Sequence, residues 1–273
     1  MMETHGKKVR DNAAGYKLRT IDLISVFIRS LFIQSQFTLK EKHGTGFGFT
    51  VLPGLKRISR TQADLKNLMQ SHTGFFNSHP FLAPFIAGAV IRIEEVSRTG
   101  PVDDSQKITT LKTRFAGALG SLGDRFFWKF LKPAASIIAL VIVFALNNYY
   151  PWNIIIGASL FLIQFNLFHL YYRLRGVFKG YGAGGEIIRD KSLKLLERMN
   201  SLMLKIILFF LGALVVLEVV FVLEGNVMGV IILTAAILIS FYLNYQRNSP
   251  GLAIIGGLAS SIVLFFIWRT LLG

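Results

Sequence analysis

Asn77, Ser78 and His79 stand in a row ahead of Pro80, inside the otherwise apolar stretch FFNSHPFLAPFIAGAVIRIEE, residues 75–95. An amide, a hydroxyl and an imidazole supply hydrogen-bond donors and acceptors to a polar solute. A covalent step would need more, a nucleophile with an activating neighbour. A second small set follows in FAGALGSLGDRFFWKF, residues 115–130, where the lone carboxylate Asp124 lies between Gly123 and Arg125 and shortly before Trp128. The rest of the chain narrows the chemistry. It has no cysteine, hence no disulfide frame, thiolate metal site or cysteine nucleophile. His5 is in a polar tail, His43 and His72 are in polar turns, and His169 closes an apolar run, while His79 reads as a hydrogen-bonding residue at a helix start. No two histidines or carboxylates share a helix face at metal-ligand spacing, so no metal and no cofactor is expected. HGTGFGFTVLPGLKR, residues 43–57, holds Gly44, Gly46 and Gly48 but lacks the GK[ST] ending and preceding strand of a phosphate loop. It reads as close packing at a helix junction, and an enzyme acting alone has nothing to build on.

The elements that must hold these residues are those of a membrane protein. The 273 residues are 52% hydrophobic and only 16% charged, against about 25% charged in soluble domains, with a mean hydropathy of +0.51. The net charge of +15 is the Lys and Arg excess of cytoplasmic loops. The cations lie between apolar runs and do not gather with stacking aromatics, so nucleic acid is not an expected partner. The lipid bilayer is. The polar first residues are not followed closely by an apolar core, and no removable signal peptide is expected.

In chain order, residues 1–19 read as a basic cytoplasmic tail. Residues 20–132 hold amphipathic helices and two re-entrant arms. The first helix, residues 20–37, places apolar residues at 21, 24, 28, 31 and 32 with Thr20 as its cap. It is amphipathic enough to lie at the interface. Residues 60–72 make a short polar helix. From Pro80 to Ile91 is too short to cross a hydrocarbon core, which takes about 20 residues, and Pro80 with Pro84 suits a bent entry. The stretch is therefore expected to be a re-entrant arm with Asn77, Ser78 and His79 near its mouth, covered by protein or lining water. Residues 96–110 form a solvated turn, and the glycine-rich 115–130 segment a second arm. Residues 133–172 form a transmembrane hairpin, turning at Asn147, Asn148, Pro151 and Trp152 beside Tyr149 and Tyr150. Residues 173–205 are basic and cytoplasmic. Residues 206–273 form three further spans, near 206–224, 227–245 and 252–268, with Arg247 inside, Glu218 near the outer end of its span, and small residues Gly256, Gly257, Ser260 and Ser261 in the last. The expected fold is an all-α integral membrane protein with amphipathic N-terminal helices, two re-entrant helical hairpin arms and about five transmembrane helices, its amino terminus cytoplasmic.

With these segments placed, the chain resembles the IID component of the mannose-family (mannose/fructose/sorbose) phosphoenolpyruvate-dependent sugar phosphotransferase system. Phe27-Ile28-Arg29-Ser30 looks like that family's first helix, and Gly46-Phe47-Gly48-Phe49 through Pro53 like its glycine-phenylalanine turn. Phe75-Phe76-Asn77 with Pro80, then Glu94-Glu95, matches its FFNxxP signature. Gly123-Asp124 with Phe127-Trp128 and Pro133 is similar to a second signature, and Asn166, Gly176-Val177 and Gly180-Tyr181 fall where the family has a similar helix end. The likeness runs in order over about residues 20–190. It departs at Ala118, Arg125, Lys129 and Lys132, where the family usually has proline, a small residue, glycine and arginine. The linkers between the last spans are also short.

The resemblance implies a role. IID pairs with a IIC membrane subunit to form the translocation unit for a hexose-type sugar, while IIA and IIB carriers relay the phosphoryl group to the arriving sugar. IID carries none itself, and IIC–IID pairs assemble into a higher oligomer in the bacterial inner membrane. Sugars are neutral and rich in hydroxyls, so their sites pair amides and carboxylates with aromatic walls. Asn77, walled by Phe75 and Phe76, and Asp124 with Trp128 fit that description. The expected sugar path therefore takes in Asn77, Ser78, His79, Asp124 and Trp128, with Pro80 and Gly123 shaping the arm tips. Two other readings stand: Asn77 and Asp124 as caps of backbone groups, with Asp124 alternatively pairing with Arg125 or Lys129, and the whole chain as a membrane scaffold or regulatory subunit without transport.

Overall fold

A computed structural model of the chain describes residues 18–98 and 105–221, with side chains described for 108–214 of the second stretch. The described residues fall in two compact units, Met1–Ser136 with Ala158–Ile207, and Ile137–Gly157 with Leu208–Gly273. They are helical, with isolated β-bridges and no strand among them. The expected all-α class is what the chain adopts.

Helix α1, Thr20–Ser30, starts with the Asp22 carboxylate accepting the Arg19 N–H at 2.9 Å. Asp22, rather than Thr20, satisfies the helix start. Leu23, Val26 and Ser30 enter the core, while Ile21, Ile28, Leu31 and Phe32 stay exposed, so the periodic apolar residues face outward. Helix α2, Gly44–Ile58, is the glycine-phenylalanine stretch, and it is packing as expected. A side chain at Gly46 would strike the backbone of Ile33, so this glycine sets how closely the segment after α1 can lie against α2. Helix α3, Gln62–Thr73, is capped by Thr61, whose Oγ1 accepts from the Asp64 N–H at 3.2 Å.

Helix α4, Ala83–Ser97, is buried on every side from Ala83 through Ile91, with Pro84 in its first turn, where the missing N–H costs nothing. The expected arm is thus the α3–α4 connection followed by a helix enclosed by the chain's own elements. Asp64 and Arg98 tie the ends of α3 and α4 by two bonds of 2.6 and 2.7 Å. The Arg98 guanidinium holds the Asp64 carboxyl below its ordinary value, with the Arg60 N–H and charge helping against partial burial. A depressed carboxyl adds stability that is complete above its unfolded-state value and is lost as pH falls through the folded one. Asp64→Asn is expected to cost about 1 kcal/mol near neutrality and to flatten the decline in thermal midpoint below about pH 5. An unchanged acid limb in the variant would contradict this tie.

From Ser105 to Ala145 the chain is helical without a reversal: α5, Ser105–Gly123, a π-helical segment, Asp124–Leu131, and α6, Lys132–Ala145. This corrects the second re-entrant arm. Its glycines do not turn the chain; Gly120 and Gly123 lie against Ser78 and His79. The local irregularity is absorbed as an i→i+5 segment, a form often found at functional sites. Residues 146–151, with a 3-10 turn at Asn147–Tyr149, interrupt the helix, and helix α7 covers Trp152–Ala183. Ile108–Ala145 and Trp152–Arg189 are long and apolar enough to cross a membrane. Within the first unit, α7 leaves Leu162, Ile163 and Leu167 exposed. The basic segment 173–205 is mostly helical: α7 continues to Ala183, a short 3-10 turn covers Gly184–Arg189, and helix α8 spans Lys191–Phe221. The side chain of Glu218, the spans near 227–245 and 252–268 with their small residues and Arg247, residues 1–17 of the tail, and residues 99–104 of the expected turn lie outside what is described.

Candidate functional site

The approach to α4 is held extended against residues 41–43 by a parallel bridge between Lys42 and Phe76. Phe76 donates its N–H to the Glu41 carbonyl at 3.2 Å and accepts from the His43 N–H at 2.9 Å. Extended backbone sends alternate side chains to opposite faces. Phe76 is accordingly buried, stacked on Phe47 at 4.1 Å, while Phe75 and Asn77 face out and Ser78 turns back in. Only Phe75 shares a face with Asn77, so the expected wall of two phenylalanines is corrected to one. Asn77 makes no side-chain hydrogen bond among the described residues and is not a cap.

His79 is 1% exposed. Its carbonyl accepts from the N–H groups of Leu82 and Ala83, which starts the turn into α4, and Pro80 keeps it out of the helix. Its Nδ1 accepts from the Phe81 N–H at 3.2 Å. Burial lowers its pKa, and the positive charges of Arg173 and His43 act in the same direction. The ring is therefore neutral, with its proton on Nε2. That Nε2 and the neighbouring Ser78 Oγ are both buried without a hydrogen-bond partner. Both atoms keep their hydrogen-bonding capacity, an acceptor and donor on Ser78 and a donor on His79.

The 115–130 segment forms the other side. The His79 ring stacks on Phe127 at 5.0 Å and lies 5.2 Å from Trp128, and a side chain at Gly123 would strike it. Ser78, His79, Gly123 and Trp128 thus come together around one aromatic cluster. Phe126, Phe127 and Leu131 point inward from the π segment, while Asp124, Arg125, Trp128 and Lys129 point outward. Asp124 neither caps nor pairs with Arg125 or Lys129 among the described residues. Phe81 completes the cluster, with His169 stacked on it at 4.6 Å and the Arg173 guanidinium 5.0 Å from its centroid. Arg173 also reaches the Ser30 carbonyl on α1.

Two polar ties went unread in the sequence. His72 and His43 are buried rather than in open turns, and His72 Nε2 lies 2.9 Å from Glu94 Oε1. Buried Lys112 donates to the Ser71 carbonyl at 2.8 Å beside them. Glu95 accepts from Arg92 at 2.7 Å and from the Tyr181 hydroxyl at 2.6 Å, an arrangement that raises the Arg92 pKa. Arg92 and Glu95 are one turn apart on α4, but the other partners lie 22 to 86 positions apart and carry no local signal. The α7 residues did have one, since Phe161, Phe165, His169 and Arg173 recur every fourth position, along one helix face. No group of three or more His, Asp or Glu among the described residues could hold a metal ion. The cluster offers hydrogen bonds and ring faces around unfilled polar atoms, a set suited to binding.

Comparison with known proteins places the chain in a family. Residues 17–227 match the family described as the PTS system mannose/fructose/sorbose family IID component. The mannose-specific EIID component of Escherichia coli K12 is 30% identical over 73% of this chain and 68% of its own length. The sorbose-specific EIID component of Klebsiella pneumoniae is 28% identical over 73% and 70%. Among solved structures, a chain of the mannose transporter ManYZ in complex with microcin E492 aligns with a TM-score of 0.55 and 31% identity, covering 73% of this chain and 70% of that one.

Proposed function

The chain belongs to the mannose/fructose/sorbose family of phosphotransferase-system IID components, and from that premise we propose that it works beside a IIC subunit to form the path for a hexose-type sugar. It is a sugar-transporter subunit and a membrane protein partnered with other membrane subunits of the system. In the finer reading, IIB phosphorylates the sugar on entry with phosphoryl groups relayed by IIA, and IIC–IID pairs form a higher oligomer. The chain is multi-pass in the bacterial inner membrane with its amino terminus cytoplasmic. Residues 1–19 form the tail, 20–132 the packed helices with the FFNSHP arm, 133–172 the hairpin, 173–205 the basic segment and 206–273 the final spans.

The observation that carries the site is the buried, unpartnered pair Ser78 Oγ and His79 Nε2, next in sequence to exposed Asn77, with the His79 ring 5.2 Å from Trp128. A sugar hydroxyl can donate to Ser78 and accept from His79, while Asn77 offers two donors and an acceptor at the mouth. Trp128 supplies an apolar face, and Asp124 an acceptor on the π segment. Pro80 and Gly123 fix the approach of the two segments. Asn77→Ala is expected to lower phosphoenolpyruvate-dependent uptake in vesicles about tenfold, equivalent to one to two lost hydrogen bonds, with membrane insertion and IIC co-purification unchanged. Uptake at the native rate would remove Asn77 from the path. No uptake of any hexose or hexosamine with IIA, IIB and IIC all present would favour the scaffold reading instead.

A further inference from the structure

Arg125 and Lys129 take no part in the aromatic cluster, and neither forms an ion pair among the described residues. Both project from the outer side of the π segment into a cleft of about 410 Å³ that Glu197, Asn200, Ser201 and the apolar Phe130 and Leu204 also line. A second cavity, of about 240 Å³, shares Arg125 and Glu197 and adds Lys194. Three cations thus meet one carboxylate. Asn200 is nine-tenths buried, yet its Oδ1 has no hydrogen-bond partner. The unpartnered atom is an acceptor set among cations, a lining that suits a group with a negative charge and a hydroxyl donor.

We propose that this cleft is a binding site for the phosphate and hydroxyl of an anionic phospholipid headgroup. Arg125 and Lys129 meet the phosphate, Lys194 adds positive charge from the adjoining cavity, and a headgroup hydroxyl donates to Asn200 Oδ1. A lipid is favoured over a free phosphate by the place of the cleft along α8. Lys191, Lys194, Arg198 and Lys205 precede an uncharged run from Ile206 to Leu217, so the cleft lies where a basic helix becomes apolar. Its apolar lining, Phe130 and Leu204, gives the first part of an acyl chain a surface to lie on. Glu197 bounds the site and opposes a second anion.

The test uses the full chain co-purified with its IIC subunit in mixed micelles, with bound lipid counted by native mass spectrometry. Phosphatidylglycerol should be retained over phosphatidylcholine, and Arg125→Gln with Lys129→Gln should weaken that retention on the order of tenfold. Lys66→Gln, an exposed cation on α3, should leave it unchanged. Asn200→Leu should reduce the preference for phosphatidylglycerol over phosphatidic acid, which lacks the glycerol hydroxyls. Equal retention of phosphatidylglycerol and phosphatidylcholine, or an unaltered preference in the Arg125/Lys129 double variant, would overturn the site. If inorganic phosphate or a hexose phosphate displaces the lipid at millimolar concentration, the occupant is a soluble anion and the lipid assignment is overturned.

Discussion

Gly180→Val should abolish accumulation of folded protein. A side chain at Gly180 would meet the Phe85 carbonyl and the Ala89 nitrogen of α4, and one at Gly88 would meet the α7 backbone at Val177 and Tyr181. These neighbours are backbone atoms that cannot rotate aside, so the two helices must separate. Where helices cross among apolar surroundings, close approach at small residues is the main source of attraction. Separating α4 from α7 would also pull Phe81 away from His169 and Arg173 and disturb the setting of His79. The cost is expected to exceed about 3 kcal/mol. Gly182 is the control on the same helix, because a side chain there meets nothing within 4 Å. Size-exclusion profiles after detergent extraction should show Gly182→Val as native and Gly180→Val as aggregated or absent. A monodisperse Gly180→Val protein would contradict the close α4–α7 contact.

Glu94→Ala should have an effect of similar size for an electrostatic reason. Glu94 is the carboxylate against buried His72, and its charge acts on the buried Lys112 ammonium. Removing it strands a cation and an imidazole inside the helices. Breaking a buried pair from one side typically costs about 3–5 kcal/mol. Glu94→Gln keeps a hydrogen-bonding group toward His72 and should recover part of that loss. Thermal unfolding in detergent separates the two variants. A Glu94→Ala midpoint within a degree or two of the native one would remove the pair from the stabilising core.

Much of this architecture is legible in the sequence. Pro80 and Pro84 already marked a bent entry, although the buried helix that begins at Ala83 did not follow from them. The glycine-phenylalanine stretch already read as packing, since it lacked what a phosphate loop needs. Errors arose where one residue pattern serves two geometries. Gly120 and Gly123 suit a reversal or a helix face pressed against a neighbour, and composition does not distinguish them. Only the position of Ser78 and His79 beside the helix decides. Phe75 and Phe76 read as one wall, although extended backbone must place them on opposite faces. His72 and Glu94 are 22 positions apart, on different helices, so nothing local couples them. The four-residue recurrence of Phe161, Phe165, His169 and Arg173 was legible, but it lay inside a run read only for its hydrophobicity.

The transport role itself is tested by reconstitution. Vesicles holding the IIC subunit, with IIA, IIB and phosphoenolpyruvate supplied, should accumulate phosphorylated hexose only when this chain is also present, and much less when it carries Asn77→Ala. Equal accumulation with and without this chain would contradict its place in the sugar path.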